Sequence, residues 1–172
     1  MELIEGIFMR RSVRKYTDEK VPAADIQEIV KAGMYAPSAR NQQVWEFIVV
    51  TDEARLRGLA EVLETAPMAR TPAAFAVLVC ANPCREKSEG FWEQDCAASI
   101  ENMMLAALDK GVGTVWVGIH PRPERIEAVR KLFGIPEDIR PHSLMLAGYP
   151  IDPLPEADRF HPEYIHLNEW EG

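Results

Sequence analysis

A single domain of alternating strands and helices is the fold class this sequence predicts, and three observations predict it. The 172 residues suit one compact domain, and 47% of them are hydrophobic, enough to fill a core. Some segments place apolar residues at helical spacing, while others run apolar without interruption and read as buried strands. The two textures take turns along the chain, which by itself suggests parallel βαβ units.

Leu3, Ile4, Ile7 and Phe8 fall at helical spacing, so a short helix should lead directly into the basic run RRSVRKY at 10–16. A second helix is expected from Pro22 to about Ala36, with Pro22 suited to a first turn, a stripe of Ile26, Ile29, Val30 and Gly33, and Pro37 as its stop. WEFIVVT at 45–51 reads as a buried strand, followed after Thr51 and Asp52 by a helix marked by Leu56, Leu59, Ala60 and Leu63. AAFAVLVCA at 73–81 is the next strand. The longest helix candidate runs from Phe91 to Lys110, and Ala97, Ala98, Ile100, Met103, Met104, Ala106, Ala107 and Leu108 make it apolar round much of its circumference. Such a helix needs cover on more than one side, from a central place in the core or from a partner subunit. Gly111 supplies its stop, GTVWVGI at 113–119 reads as a strand, and Pro123 opens a helix carrying Ile126, Val129, Leu132 and Phe133. SLMLAGY at 143–149 is the last strand. Beyond it Pro150, Pro153, Pro155 and Pro162 break regular structure, yet Phe160, Tyr164, Ile165, Leu167 and Trp170 are too apolar for a free tail.

Charge narrows the partners. The chain carries 19 Lys and Arg against 27 Asp and Glu, a formal net charge of −8. That balance argues against nucleic acid and anionic membranes, both of which call for a basic face. The opening MELIEGIFMRR does not read as a signal peptide, and no stretch has the apolar length of a membrane span, so a cytoplasmic location is expected. Cys80, Cys84 and Cys96 read as structural thiols, because zinc wants four ligands and no second pair matches.

The four histidines, His120, His142, His161 and His166, lie in the carboxy-terminal third without a triad context. No nucleophile elbow, Walker loop or GxGxxG is present, and GVGTVWVG follows a helix rather than opening one. Glu61 and Glu64 sit on an amphipathic helix and are expected to face water. The unusual residues gather in three loops instead. Arg10, Arg11, Ser12 and Arg14 concentrate guanidinium groups and a hydroxyl, a set suited to bidentate recognition of a phosphate, although a solvated basic patch would look the same. In an extended backbone positions 10, 12 and 14 would point the same way. Pro37, Ser38, Arg40, Asn41, Gln42 and Gln43 offer hydroxyl and amide groups able to read the edge of a planar heterocycle. Gly113 and Gly118 would let backbone approach a ring face closely. A phosphate grip, amide donors and close backbone together describe a nucleotide-like cofactor site.

RRSVRKY, APSARNQQVWEF, DCAASIENMMLAALDKGVGTVWVG and LMLAGYP followed by Arg159 and Phe160 resemble, in order and over nearly the whole chain, the short form of the nitroreductase family of FMN-dependent oxidoreductases. The resemblance implies an α+β fold with a central mixed, mostly antiparallel sheet flanked by helices, which replaces the parallel expectation. It also implies an intertwined homodimer holding two FMN molecules at its interface, one domain over 1–172, and a carboxy-terminal arm, 150–172, packed on the partner. By position, Arg10, Arg11, Ser12 and Arg14 would hold the phosphate and ribityl chain, with Arg159 closing from the carboxy-terminal side. Pro37, Ser38 and Ala39 would reach the isoalloxazine from the other subunit, and Asn41 would bond near the ring. Trp116, Val117 and Gly118 would border it, one backbone amide donating to the nitrogen that receives hydride. The implied activity is NADH- or NADPH-driven reduction of nitroaromatic or quinone-like acceptors by ping-pong hydride transfer, with no catalytic side chain because the flavin carries the chemistry. Flavin reduction, another flavin-transforming reaction of the family, or a non-catalytic FMN-binding dimer are the alternatives. The segment 82–92 is the candidate lid, with Phe91 or Trp92 able to stack on an aromatic acceptor.

Overall fold

The computed structural model of the chain describes residues 2–63 and 72–170. Within them, helices α1 (Leu3–Met9), α2 (Ala23–Met34), α3 (Glu53–Val62), α4 (Trp92–Asp109) and α5 (Pro123–Phe133) alternate with strands β1 (Trp45–Val50), β2 (Phe75–Ala81), β3 (Gly113–Gly118) and β4 (Arg140–Gly148). The strands form one sheet in the order β1-β2-β4-β3. Every ladder is antiparallel, so the βαβ expectation is overturned; the parallel element of the sheet is an isolated bridge between Ser12 and Thr114.

Two cores explain the apolar runs. Side chains alternate across a strand, so Phe75, Val77, Val79 and Ala81 of β2 pack with Ile29, Ile100 and Met103 of α2 and α4 on one face. Ala76, Leu78 and Cys80 pack with Leu59 and Val129 of α3 and α5 on the other. All seven residues of β2 are buried as a result. A strand covered on both faces has no need of polar alternation, whichever way its neighbours run.

Local signals set the helix ends. Asp52 caps α3 by accepting the Arg55 N–H at 2.9 Å. Gly134 ends α5 in the left-handed conformation, φ 64°. The buried residues of α2 are Ile26, Ile29, Val30 and Gly33, the expected stripe. Gly33 lets α4 approach closely, since a Cβ there would lie 2.8 Å from Met103 Cγ. Glu61 is exposed, as expected, while Glu64 lies outside the described residues. Among the described residues no helix is long and apolar enough to cross a membrane.

After β4 the chain runs back past the basic loop and holds one short 3₁₀ turn, Pro162–Tyr164. Phe160 (71% exposed), Tyr164, Ile165, Leu167 and Trp170 (82% exposed) stay largely exposed, although Tyr164 stacks on His161 and Trp170 on His166.

Candidate functional site

Strand β3 lies at the edge of the sheet and organises the site. Its inner side pairs with β4, while near its start Val13 donates its N–H to the Thr114 carbonyl at 2.8 Å. At its end the Gly118 carbonyl accepts from Arg125 Nη1 at 2.7 Å. Thr114 and Gly118 therefore turn their backbone groups away from β4. Because an antiparallel strand sends the N–H and C=O of one residue the same way, and alternates with period two, Trp116 shares that outer edge and Val117 does not. The N–H groups of Trp116 and Gly118 line the edge that runs on from the basic loop.

The loop is held there by two close approaches. Val13 sits on Gly113, where a Cβ would lie 2.6 Å from Val13 Cγ2, and Tyr16 sits on Gly148, where a Cβ would lie 2.9 Å from the Tyr16 Cβ and Cγ. The Tyr16 hydroxyl lies 2.7 Å from the Val13 carbonyl and 3.2 Å from that of Leu146, and burial pushes its pKa well above the usual phenol value. With Val13 and Tyr16 turned inward, Ser12 and Arg14 are exposed.

The three arginines of the loop differ. Arg10 Nε pairs with Glu101 of α4 at 3.1 Å. Arg11 turns to backbone: Nη1 donates to Phe8 O at 2.6 Å and Arg10 O at 2.8 Å, and Nε to Pro155 O at 2.9 Å. Arg14 Nη1 donates to Ser12 O at 3.3 Å. Arg11 thus ties the returning carboxy-terminal segment to the loop, and residues 11–15 and 152–155 enclose a cavity of about 220 Å³. Arg159 is exposed and does not line that cavity.

Pro37, Ser38, Ala39 and Asn41 lie in the turn between α2 and β1. Arg40, Asn41 and Gln43 there adopt positive φ of 49°, 51° and 48°, a conformation that costs energy for side chains other than glycine. The turn is anchored on the first turn of α4, where the buried Asp95 accepts from the Ala39 N–H at 2.9 Å and from Gln42 Nε2 at 2.6 Å. Asp95 escapes a reading of the sequence because an acid in the first turn of a helix is commonplace. The structure groups the basic loop with Trp116, Val117 and Gly118 along β3, and holds the 37–41 turn separately.

Beside the end of β3 lies an aromatic group whose members are far apart in sequence. Trp92 is buried and makes edge contacts with His120 (4.8 Å between centroids) and His142 (5.8 Å), while Arg140 lies 5.5 Å over its ring. Trp92 is thus packed inward and unable to stack on an acceptor; Phe91, half exposed, is the aromatic that segment 82–92 presents. Burial and the nearby His120 push the His142 pKa down to about 4. Cys80 and Cys96 are buried and Cys84 exposed. Burial pushes the Cys80 thiol up to about 12 and that of Cys96 higher still, so neither is a ready nucleophile.

A sequence model of the Nitroreductase family matches residues 7–83 and 84–149. An Archaeoglobus fulgidus protein provisionally named NADH dehydrogenase/NAD(P)H nitroreductase is 44% identical over 173 residues, covering 98% of this chain and 99% of that one. The crystal structure of a Parabacteroides distasonis protein under the same provisional name superposes with a TM-score of 0.90 at 38% identity, covering 98% of both chains. That of a Desulfovibrio desulfuricans nitroreductase, also provisionally named and in complex with FMN, superposes at 0.82 with 29% identity, covering 100% of this chain and 99% of that one.

Proposed function

From the premise that the chain belongs to the nitroreductase family, we propose that it is an FMN-dependent NAD(P)H oxidoreductase acting on nitroaromatic or quinone-like acceptors. One observation carries the reading: the basic loop docks on the edge of β3, and the outward amides of the same strand continue from it. From Thr114 to Gly118 is four residues, about 13 Å of extended strand, a length suited to a ligand with a phosphate at one end and a planar ring at the other. FMN has that form, and the residues present fit it.

Arg10, Ser12 and Arg14 hold the phosphate end, where charge-assisted bonds are the strong ones. Arg11 supports them by clasping the segment that leads to Arg159, and Arg159 closes from that side. The Gly118 or Trp116 amide, on the outer edge, serves the ring better than that of Val117, whose side chain fills the core beneath. The chemistry FMN supplies there is acceptance of a hydride from NADH or NADPH and delivery to the acceptor. Fixed backbone donors favour negative charge on that ring without reorganising.

The site is completed by a second copy of the chain. The Pro37–Asn41 turn and the basic loop are held at different places along α4, so the turn of one protomer serves the ring bound to the other. The uncovered apolar residues of α1 and of the arm 150–172 supply the surface for that assembly. The test is a visible spectrum of the purified protein before and after anaerobic addition of each nicotinamide, with its mass in solution. A flavin spectrum bleached by NADH or NADPH, on a dimer, is expected; a colourless monomer that takes up no FMN would remove the proposal.

A further inference from the structure

The 37–43 turn and the 82–91 segment meet beside the start of β1, where the Asn82 N–H donates to Val44 O at 2.7 Å and Arg85 Nη1 to Gln43 O at 3.4 Å, and a buried pair of side chains joins them further in. Asp95 is 4% exposed and Gln42 3%. Asp95 Oδ1 accepts the Ala39 N–H at 2.9 Å and Oδ2 accepts Gln42 Nε2 at 2.6 Å. Gln42 in turn presents its Oε1 to the N–H groups of Lys87 and Ser88, at 2.8 and 3.0 Å. The order is fixed: amide to carboxylate on one side, carboxamide to two amides on the other. Reversing the carboxamide would set donors against donors at Lys87 and Ser88 and the carboxamide oxygen against Asp95.

The relay crosses the place where both loops carry their distinctive groups. On one side stand Ala39 and the strained Arg40, Asn41 and Gln43. On the other, segment 82–91 is pinned further by Arg85 on Glu46 at 2.6 Å and Glu86 on Arg140 at 3.1 Å, and it ends at the exposed Phe91. A strained turn persists only where its surroundings over-determine it, and the Asp95 carboxylate is part of what holds this one. The segment expected to act as a lid is therefore braced against the flavin-side turn.

We propose that Asp95 and Gln42 are positioning residues that make the 37–43 turn and the 82–91 segment one rigid unit, so that the gap between the flavin ring and Phe91 is fixed and selects acceptors by shape. This rests on the functional reading above. Neither residue touches the reacting atoms. Their effect is on which acceptor fits, so it falls on KM for bulky acceptors rather than on kcat.

The test is a polarity swap. In Asp95→Asn alone, Oδ1 still accepts from Ala39 but the new Nδ2 faces the Gln42 donor; in Gln42→Glu alone, two carboxylates face each other. The double variant D95N/Q42E restores every bond in order: the new carboxamide at position 95 donates to the new carboxylate at position 42, whose other oxygen accepts from Lys87 and Ser88. Flavin-loaded dimer is assayed with a naphthoquinone and with ferricyanide, and amide exchange is followed at Ala39, Lys87 and Ser88. Each single variant is expected to raise KM for the quinone about tenfold with kcat little changed, to leave ferricyanide turnover close to the parent, and to speed exchange at Lys87 and Ser88. The double variant is expected to recover both. A single variant indistinguishable from the parent, or a swap no better than the single changes while flavin is bound, would overturn the proposal alone. A parent protein that takes up no flavin would overturn the functional reading and the acceptor role together.

Discussion

Gly113→Ala tests whether the seat of the basic loop sets cofactor affinity. The new methyl would lie 2.6 Å from Val13 Cγ2, 2.8 Å from its Cβ and 2.9 Å from its Cγ1, where ordinary contact begins at 3.4 Å. Rotating the valine relieves the Cγ contacts but not the one at Cβ, which moves only with the backbone. The loop must retreat by at least 3.4 − 2.6 = 0.8 Å if the valine keeps its rotamer, or 3.4 − 2.8 = 0.6 Å if it turns. Either retreat stretches the Val13 N–H bond to Thr114 from 2.8 Å to the edge of hydrogen bonding or past it. Overpacking of this kind costs about 1–3 kcal/mol, and in a chain of this size each kcal/mol lowers Tm by about 2–4 °C. Arg10, Ser12 and Arg14 shift with the loop. Loss of one charge-assisted bond, about 1.5–3 kcal/mol, weakens FMN about 10- to 150-fold, whereas riboflavin, lacking the phosphate, loses less. Calorimetry and flavin fluorescence titration read both. The double variant V13G/G113A removes the obstructing Cβ and should recover FMN affinity, which V13A/G113A, retaining it, should not. Unchanged Tm and FMN affinity in G113A would refute the argument from packing, and equal weakening of FMN and riboflavin would refute the phosphate assignment.

Joint replacement of Arg10 and Arg14 by alanine should lower FMN affinity steeply and riboflavin affinity barely, as measured by the same titration. Glu101→Gln should tighten FMN slightly, because the carboxylate 3.1 Å from Arg10 Nε competes with phosphate; a partly exposed pair is worth about 0.2–1 kcal/mol, or about 1.4- to 5-fold in Kd. His142, held down to about 4 in the folded protein against 6.5 for a free imidazole, should make the protein less stable as pH falls. Above pH 6.5 neither state protonates it; between 6.5 and about 4 the unfolded chain gains the proton and the folded one does not, so stability is lost as pH falls through that window, by up to about 3 kcal/mol. Urea midpoints at pH 8 and pH 5 should show the loss in the parent and a smaller one in His142→Gln.

Much of the fold was legible because local signals did not conflict. The stripe of Ile26, Ile29, Val30 and Gly33, the Asp52 cap and the stop at Gly111 each depend on neighbours within a turn or two. Strand direction was not legible from texture. The continuous apolar run of β2 reports that α2 and α4 cover one face and α3 and α5 the other, and two-sided burial is shared by parallel and sandwiched antiparallel strands. Which aromatic of the pair Phe91 and Trp92 turns inward depends on a one-residue choice of where α4 begins, below the resolution of periodicity. Asp95 and Gln42 escaped as partners because 53 positions separate them and each has an ordinary local explanation. The order of the motifs along the chain carried more than any of them alone, since it anticipated a sheet that the apolar pattern misread.

Helix α4 relates the two halves of the candidate site. Asp95 holds the 37–41 turn and Glu101 pairs with Arg10, six residues further on. Six residues advance about 9 Å along the axis and turn about 600°, leaving the two side chains about 120° apart round the helix. The turn and the basic loop of one chain thus leave α4 in different directions. Between them α4 keeps Ala98, Asn102 and Leu105 only partly buried, on a helix whose other side is filled by the core. A twofold contact through that strip would bring the turn of each protomer toward the basic loop of its mate without moving either from its anchor. On that account the two-sided apolarity of α4 and the separation of the half-sites would have one cause, the same helix building the interface and dividing the ligand across it.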